Sequence, residues 1–244
     1  MFSSSIHQFL KAQNYLKLSP KAVFFDMDGV LFDSMPFHAS AWVQAMHDMN
    51  IPFTTFEAYM NEGRTGDSTI DGAFLHTYGR KATYEEKQQI YKLKTKYFEA
   101  ESKTTPMPFA FELLEYFKKK GLQIFLVTGS GQSTLIDSLQ LHFPGIFVKE
   151  NMITAFDVSN GKPHPEPYLK ALEKSGLGPW EVVVVENAPL GIQSAKAAGL
   201  FTFGLDTGPL GVEVLHDAGA DIVLDGVADF YNKWADFVIN CTQL

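Results

Sequence analysis

Short unbroken apolar runs alternate with stretches whose apolar residues recur every three or four positions, and this alternation predicts the architecture. Ala22-Val23-Phe24-Phe25 reads as a strand buried on both faces, as in a parallel sheet. Pro36 suits the first turn of a helix, which Trp42, Val43, Met46 and Met49 continue at helical spacing. Further helices are predicted over about 66–78, with Ile70, Phe74 and Leu75, and over about 83–102, with Ile90, Leu93, Tyr97 and Phe98. Charged residues fill the other face of the latter. No strand pattern occurs between Ser34 and Thr104. Residues 34–104 are therefore expected to form a separate all-helical domain, inserted after the first strand and joined through two linkers that can hinge.

After Pro106 the pattern mixes strands and helices. Phe109, Leu113, Leu114 and Phe117 mark a helix closed by Lys118-Lys119-Lys120 and Gly121, where cations suit the carbonyl end. A strand over 122–127 runs into Thr128-Gly129-Ser130-Gly131 and a helix over about 133–141. Tyr168, Leu169, Ala171 and Leu172 begin a helix that ends near Gly176. The run 182–185 is a buried strand ending in Glu186-Asn187; a small-residue helix over 192–198 and strands over 201–205 and 222–224 follow. Such alternation predicts an α/β fold: a Rossmann-like parallel sheet with helical crossovers, built from residues 21–33 and 105–244. Residues 1–20 read as an N-terminal extension in which Ile6, Phe9, Leu10 and Tyr15 share one helical face.

Composition narrows the class. At 244 residues and 45% hydrophobic content the chain is expected to be soluble and globular. A net charge of −8 argues against nucleic acid or an anionic membrane as partner. One cysteine, Cys241, cannot make an internal disulfide, which fits a reducing, cytoplasmic setting. The first six residues are too polar for a signal peptide, and no stretch is long and apolar enough to span a membrane. A monomer is expected.

The candidate chemistry lies where strands end. Asp26 and Asp28, Thr128, and Glu186 with Asn187 all follow predicted strands, and a parallel sheet brings such ends to one edge, where ligands bind. Gly29 lets the backbone turn sharply after the two aspartates. Neighbouring carboxylates repel unless a cation or proton lies between them, and oxygen ligands suit Mg²⁺. Lys162 stands in a Gly161-Lys162-Pro163 loop. Singly, Thr128 reads equally as a helix cap, Lys162 as a surface lysine and Glu186 as a helix-start acid. Together they match phosphoryl transfer. Asp26 is the candidate nucleophile, Asp28 the general acid and base. Thr128, Lys162 and the backbone N–H groups of Gly129 and Ser130 are candidates to hold the transferring oxygens. The glycine pattern is neither a dinucleotide fingerprint nor a P-loop.

Through Asp26-Met27-Asp28-Gly29-Val30, Val127-Thr128-Gly129-Ser130, Gly161-Lys162-Pro163 and Val185-Glu186-Asn187-Ala188-Pro189-Leu190-Gly191, nearly everything from Lys21 onward resembles the haloacid dehalogenase superfamily of aspartyl-phosphate phosphatases and mutases. The helical insertion looks like the cap of its β-phosphoglucomutase-like subgroup. The resemblance implies Mg²⁺ held by Asp26, the backbone carbonyl of Asp28, Glu186 and Asn187.

Two departures shape the expected substrate. Most relatives carry Glu-Asp where this chain has Glu186-Asn187, so one negative charge is missing from the metal site. The segment Asn61-Glu62-Gly63-Arg64-Thr65-Gly66 looks like the subgroup's substrate-specificity loop. Mutases have Lys-Gly there, followed by an arginine three residues later; this chain has Glu62 in the lysine's place and Gly66 in the arginine's, which disfavours a β-phosphoglucomutase. Glu62 would restore the missing charge on cap closure, a pairing that resembles an inorganic pyrophosphatase branch. Arg64 is a candidate to touch substrate or brace the loop; His38 and Trp42 match cap-helix positions of the subgroup. The expectation is a Mg²⁺-dependent phosphohydrolase for a small phosphorylated metabolite. Pyrophosphate is favoured, then a sugar phosphate, then a mutase reaction; a non-catalytic phosphate-binding protein is the reading from another class.

Overall fold

Four apolar residues, Ala22–Phe25, form strand β1 at the middle of a six-stranded sheet. The structure, a computed structural model, describes residues 2–101, 104–131 and 133–242, with the backbone alone for residues 133–136. The last residue of the predicted 83–102 helix and Gln132 lie outside the described residues. The other strands are β2 (Gln123–Val127), β3 (Met152–Ile153), β4 (Val182–Glu186), β5 (Phe201–Leu205) and β6 (Ile222–Leu224). They lie in the order β3-β2-β1-β4-β5-β6, and every pairing is parallel. Val23 and Phe25 of β1 face one apolar cluster, Ala22 and Phe24 the other. Burial on both faces is why the strands read as unbroken apolar runs.

The N-terminal segment belongs to this packing. Helix α1 (Phe2–Gln13) buries Ile6 and Phe9, and the Phe9 ring meets Phe201 of β5 edge-on at 5.2 Å. Leu10 and Tyr15 pack partly against the same cluster.

Four helices follow β1: α2 (Met35–Asp48), α3 (Thr55–Met60), α4 (Gly66–Tyr78) and α5 (Tyr84–Glu101). The inward faces of α2, α4 and α5 make a cluster of their own, with Met46, Ile70, Phe74 and Ile90, while Ala58 and Tyr59 of α3 pack with Met35 and Ala39 of α2. Leu75, predicted inward, is half exposed. Thr54 and Glu57 form a reciprocal capping box at the start of α3, and Thr65 caps α4 by accepting from the Ser68 N–H. The chain enters and leaves this unit along one antiparallel pair. Asp33 N–H donates to the Thr105 carbonyl and Met107 N–H to the Leu31 carbonyl, each at 2.9 Å.

The remaining helices are α6 (Ala110–Lys119), α7 (Ser133–His142), α8 (Glu166–Ser175), α9 (Pro189–Ala197), α10 (Val212–Asp217) and α11 (Val227–Thr242). Phe109 caps α6 at φ 66° with its ring half exposed, rather than joining the buried face. Helix α11 received no sequence assignment, although Phe230, Trp234, Phe237 and Cys241 sit at helical spacing and are all buried. Each large side chain among them contributes about 2 kcal/mol or more by burial. On one sheet face lie α1, α6, α7 and α11; α8 and α9 cover the other. Among the described residues no helix is long and apolar enough to cross a membrane.

Candidate active site

The register of β1 sets the site. Phe25 pairs with Leu126 of β2 and Val185 of β4, so Asp26, Thr128 and Glu186 emerge along one sheet edge. Lys162 reaches in from its loop and donates to Asp26 Oδ1 and Glu186 Oε1, each at 2.5 Å, and to the Val127 carbonyl at 2.9 Å. All three side chains are buried. The Tyr168 hydroxyl adds a bond to Glu186 Oε1 at 2.6 Å, and the N–H groups of Asn187 and Ala188 donate to Oε2. Burial drives the Asp26 carboxyl up to about 8; Lys162 opposes the rise, while Glu186 and Asp28 add to it. For Lys162 burial favours loss of the proton, but Asp26 and Glu186 overcome it and hold the ammonium well above its ordinary range.

Asp28 faces a different set. Its Oδ1 accepts from Ser34 Oγ at 2.5 Å and lies 3.2 Å from His38 Nε2. The Lys94 ammonium stands 2.8 Å from His38 Nδ1. An ammonium can only donate, so Nδ1 accepts and Nε2 carries the proton toward Asp28. The chain Lys94, His38, Asp28 is thereby directional. Burial works against an ionised Asp28, yet His38, Ser34 and Lys94 hold it below its ordinary range. His38 is pushed down by burial and by Lys94, which keeps the ring neutral. Phe98 fixes that ring by stacking at 4.2 Å.

The cap loop completes the enclosure. Glu62 is buried, and its Oε1 accepts from Asn187 Nδ2 at 2.9 Å. Burial first, then Asp26, raises the Glu62 carboxyl well above its ordinary range, against the pull of the Asn187 bond. Asn187 Oδ1 is buried without a hydrogen-bond partner. Gly29, at φ 76°, leaves room for this amide: a Cβ there would stand 2.1 Å from Asn187 Nδ2. Arg64 donates to Ser68 Oγ at 3.1 Å, while its buried Nε has no partner. Asp26, Asp28, Glu62, Arg64 and Thr128 line a cavity of about 60 Å³, as do Gly129 and Ser130. The Ser130 N–H, expected to face an anion, is donated to Thr128 Oγ1 at 3.0 Å. Among the described residues no three His, Cys, Asp or Glu side chains converge to hold a metal by themselves.

Ser34, Lys94 and Tyr168 were not singled out as site residues. Lys94 had a legible signal: it lies in the apolar stripe of α5, between Ile90 and Phe98 at spacings of four. Tyr168 enters the sequence pattern only as the start of a helix; in the structure it is also a core residue.

A buried aspartate at the end of the central strand, a lysine bridging it to a glutamate at the end of the adjacent strand, and a helical lid over both define a hydrolase of the haloacid dehalogenase class. The family model for haloacid dehalogenase-like hydrolases matches residues 20–199, and the chain belongs to that family. Similar proteins include the phosphorylated carbohydrates phosphatase of Thermotoga maritima, 30% identical over 184 residues, 74% of this chain and 82% of that protein. The β-phosphoglucomutase of Bacillus subtilis is 28% identical over 90% of this chain and 97% of its own. A solved Bacteroides vulgatus structure, provisionally described as a β-phosphoglucomutase, is 46% identical, with a TM-score of 0.95 over 99% of this chain and 98% of that one.

Proposed function

We propose that this chain is a Mg²⁺-dependent phosphohydrolase that works through an aspartyl-phosphate on a small phosphate compound, inorganic pyrophosphate foremost. The observation that carries the substrate is the seat of Glu62 against Asn187, 2.9 Å apart over a cavity of about 60 Å³. An acid lodged there offers a metal-bound compound a further ligand for its cation, and repels the second phosphate of a sugar bisphosphate.

The donor set suits a hard divalent cation. Asn187 offers a buried carbonyl oxygen with no partner, and Asp26, Asp28 and Glu62 add oxygens close by. Asp26, the Asp28 carbonyl, Asn187 and Glu62 would hold Mg²⁺; Glu186, engaged by Lys162 and Tyr168, would act from behind. When bound, the cation would supply charge against the transferring oxygens and would lower the Asp26 carboxyl from about 8, leaving it ionised at neutral pH. Asp26 then attacks phosphorus as the bond to the leaving oxygen breaks; Asp28, ionised at rest, passes that oxygen a proton drawn along Lys94 and His38, and takes one back from the water that attacks the acyl phosphate. Thr128 and the Gly129 N–H hold the phosphoryl oxygens, with Ser130 turning its N–H from Thr128 to substrate and Lys162 exchanging one of its three present acceptors for a phosphoryl oxygen; Arg64 lies toward the leaving group.

Phosphate release with Mg²⁺ should be measured on pyrophosphate, β-glucose 1-phosphate, hexose 6-phosphates and p-nitrophenyl phosphate. Pyrophosphate is expected to lead, and Glu62→Gln to lower its turnover more than about tenfold. An unchanged rate in that variant removes Glu62 from the metal site. A lead for sugar phosphates would instead favour the second reading, a sugar-phosphate phosphatase, to which the name of the Thermotoga maritima relative points.

Lys94 gives a separate expectation. Burial lowers its ammonium to about 8, with Asp28 acting in the other direction. Above that pH Lys94 loses its proton and His38 loses its orienting donor, so kcat should fall through pH 8. Lys94→Met should lower kcat about tenfold and abolish this alkaline limb in a pH–rate profile.

A further inference from the structure

The cap loop meets the core along a seam where side chains are missing on both sides. A Cβ on Gly129 would lie 2.4 Å from the Gly63 carbonyl oxygen and 3.2 Å from that of Arg64. A Cβ on Gly63 would come within 2.9 Å of Lys162 Cδ. A Cβ on Gly161 would stand 2.8 Å from Thr65 Cγ2 and 3.2 Å from the Thr65 N. Real Cβ atoms do not approach closer than about 3 Å, so each pair requires the glycine it has. The three contacts flank residues 62–64, the segment that carries Glu62 to Asn187 and Arg64 into the cavity.

These glycines are not equivalent. Gly63 is at φ 84°, a left-handed conformation that asks for glycine by itself. Gly129 stands in the candidate phosphate loop. At Gly161 the backbone lies outside the left-handed region, so its own conformation accepts any side chain. What excludes a side chain there is Thr65, across the seam.

We propose that Gly161 is a positioning residue: its bare Cα lets the 61–65 loop settle on the core and deliver Glu62 to the site. The inference deepens the phosphohydrolase reading above and rests on it for the meaning of the delivery. It does not rest on the identity of the substrate. An added methyl at position 161 meets the cap only when the lid is down, so it opposes closure rather than folding.

The test is a double-mutant cycle of Gly161→Ala and Thr65→Ser. Serine keeps the oxygen that caps α4 and removes the methyl that the new Cβ would meet. Rates are taken on whichever compound of the panel the native protein hydrolyses fastest, so a failed pyrophosphate reading leaves the cycle intact. Gly161→Ala should lose at least about tenfold in kcat/KM, Thr65→Ser no more than about threefold, and the double variant should regain at least about threefold over Gly161→Ala. A loss that Thr65→Ser does not relieve means the methyl acts through the adjacent Lys162, and overturns the proposal. So does full activity of Gly161→Ala, or a melting temperature far below native, which would place Gly161 in the fold itself. Should the native protein hydrolyse none of the panel, amide hydrogen exchange over residues 61–65 reads the seam directly. Faster exchange in Gly161→Ala, slowed again in the double variant, supports the proposal; equal exchange in both overturns it.

Discussion

Asp26→Asn is expected to lose about four orders of magnitude in kcat while melting no lower than the native protein in metal-free buffer. The two halves have one origin. In the proposed mechanism the Asp26 carboxylate makes the bond to phosphorus, and an amide cannot replace it. The same carboxylate is an uncomfortable charge. It is buried beside Glu186 and near Asp28, with Lys162 already shared between Asp26 and Glu186. Its proton affinity is raised from 3.8 to about 8 on folding, chiefly by burial. A carboxyl raised on folding lowers stability as pH climbs from the unfolded to the folded value, and the deficit is fully present above the latter. Asparagine keeps the shape and an oxygen for Lys162 but carries no charge. The variant's melting temperature should therefore equal or exceed the native value at pH 8, with the difference shrinking toward pH 5. Adding Mg²⁺ should raise the native melting temperature and leave the variant nearly unmoved, because only the native site gains a ligand for the cation. Turnover within a hundredfold of native would remove Asp26 as nucleophile.

How much of this was legible in the chain depends on range. Strands β1, β2 and β4 announce themselves because both faces are buried and four apolar residues run together in each; β5, Phe-Thr-Phe-Gly-Leu, and the three residues of β6 read as shorter strands in the same alternation. Strand β3 has two residues, too few for any period, and helix α10 has six. Polar residues at strand ends pointed to Asp26, Thr128 and Glu186 because a parallel sheet has one edge for all of them. Lys94 was hidden by a rule that usually works: charged residues on an amphipathic helix are assigned to solvent, yet this one stands in the apolar stripe to meet His38. The Glu62 to Asn187 contact joins residues 125 positions apart and exists only with the cap loop lodged on the core. The missing charge at Asn187 and the extra one at Glu62 could be paired from sequence as a hypothesis about charge. The glycine seam that permits the pairing could not, because a glycine's reason is the neighbour it makes room for.

Lys162→Met should be the most destabilising single change in the site, as well as one that lowers turnover about a thousandfold. Methionine reproduces much of the buried stem, so the comparison isolates the ammonium. Without it Asp26 and Glu186 face each other with no cation, and the Val127 carbonyl loses its donor. Removing one partner of a buried ion pair costs about 3–5 kcal/mol, because the remaining charge stays desolvated. The sign of the pH dependence follows. With Lys162 gone, Asp26 loses the cation that opposed the rise of its carboxyl, so it contributes destabilisation that begins near the ordinary carboxylate pKa and grows with pH. Urea denaturation should show a larger deficit at pH 8 than at pH 5.5, where a protonated Asp26 can share a hydrogen bond with Glu186 instead of repelling it. The native protein differs: its ammonium is held charged well above the ordinary lysine value, so this support persists throughout that window. A deficit independent of pH would mean that lost packing, not charge, is what the substitution exposes. Full stability with lost turnover would mean that Asp26 has already taken up a proton in the native fold, and that Lys162 is held there for the phosphoryl group alone.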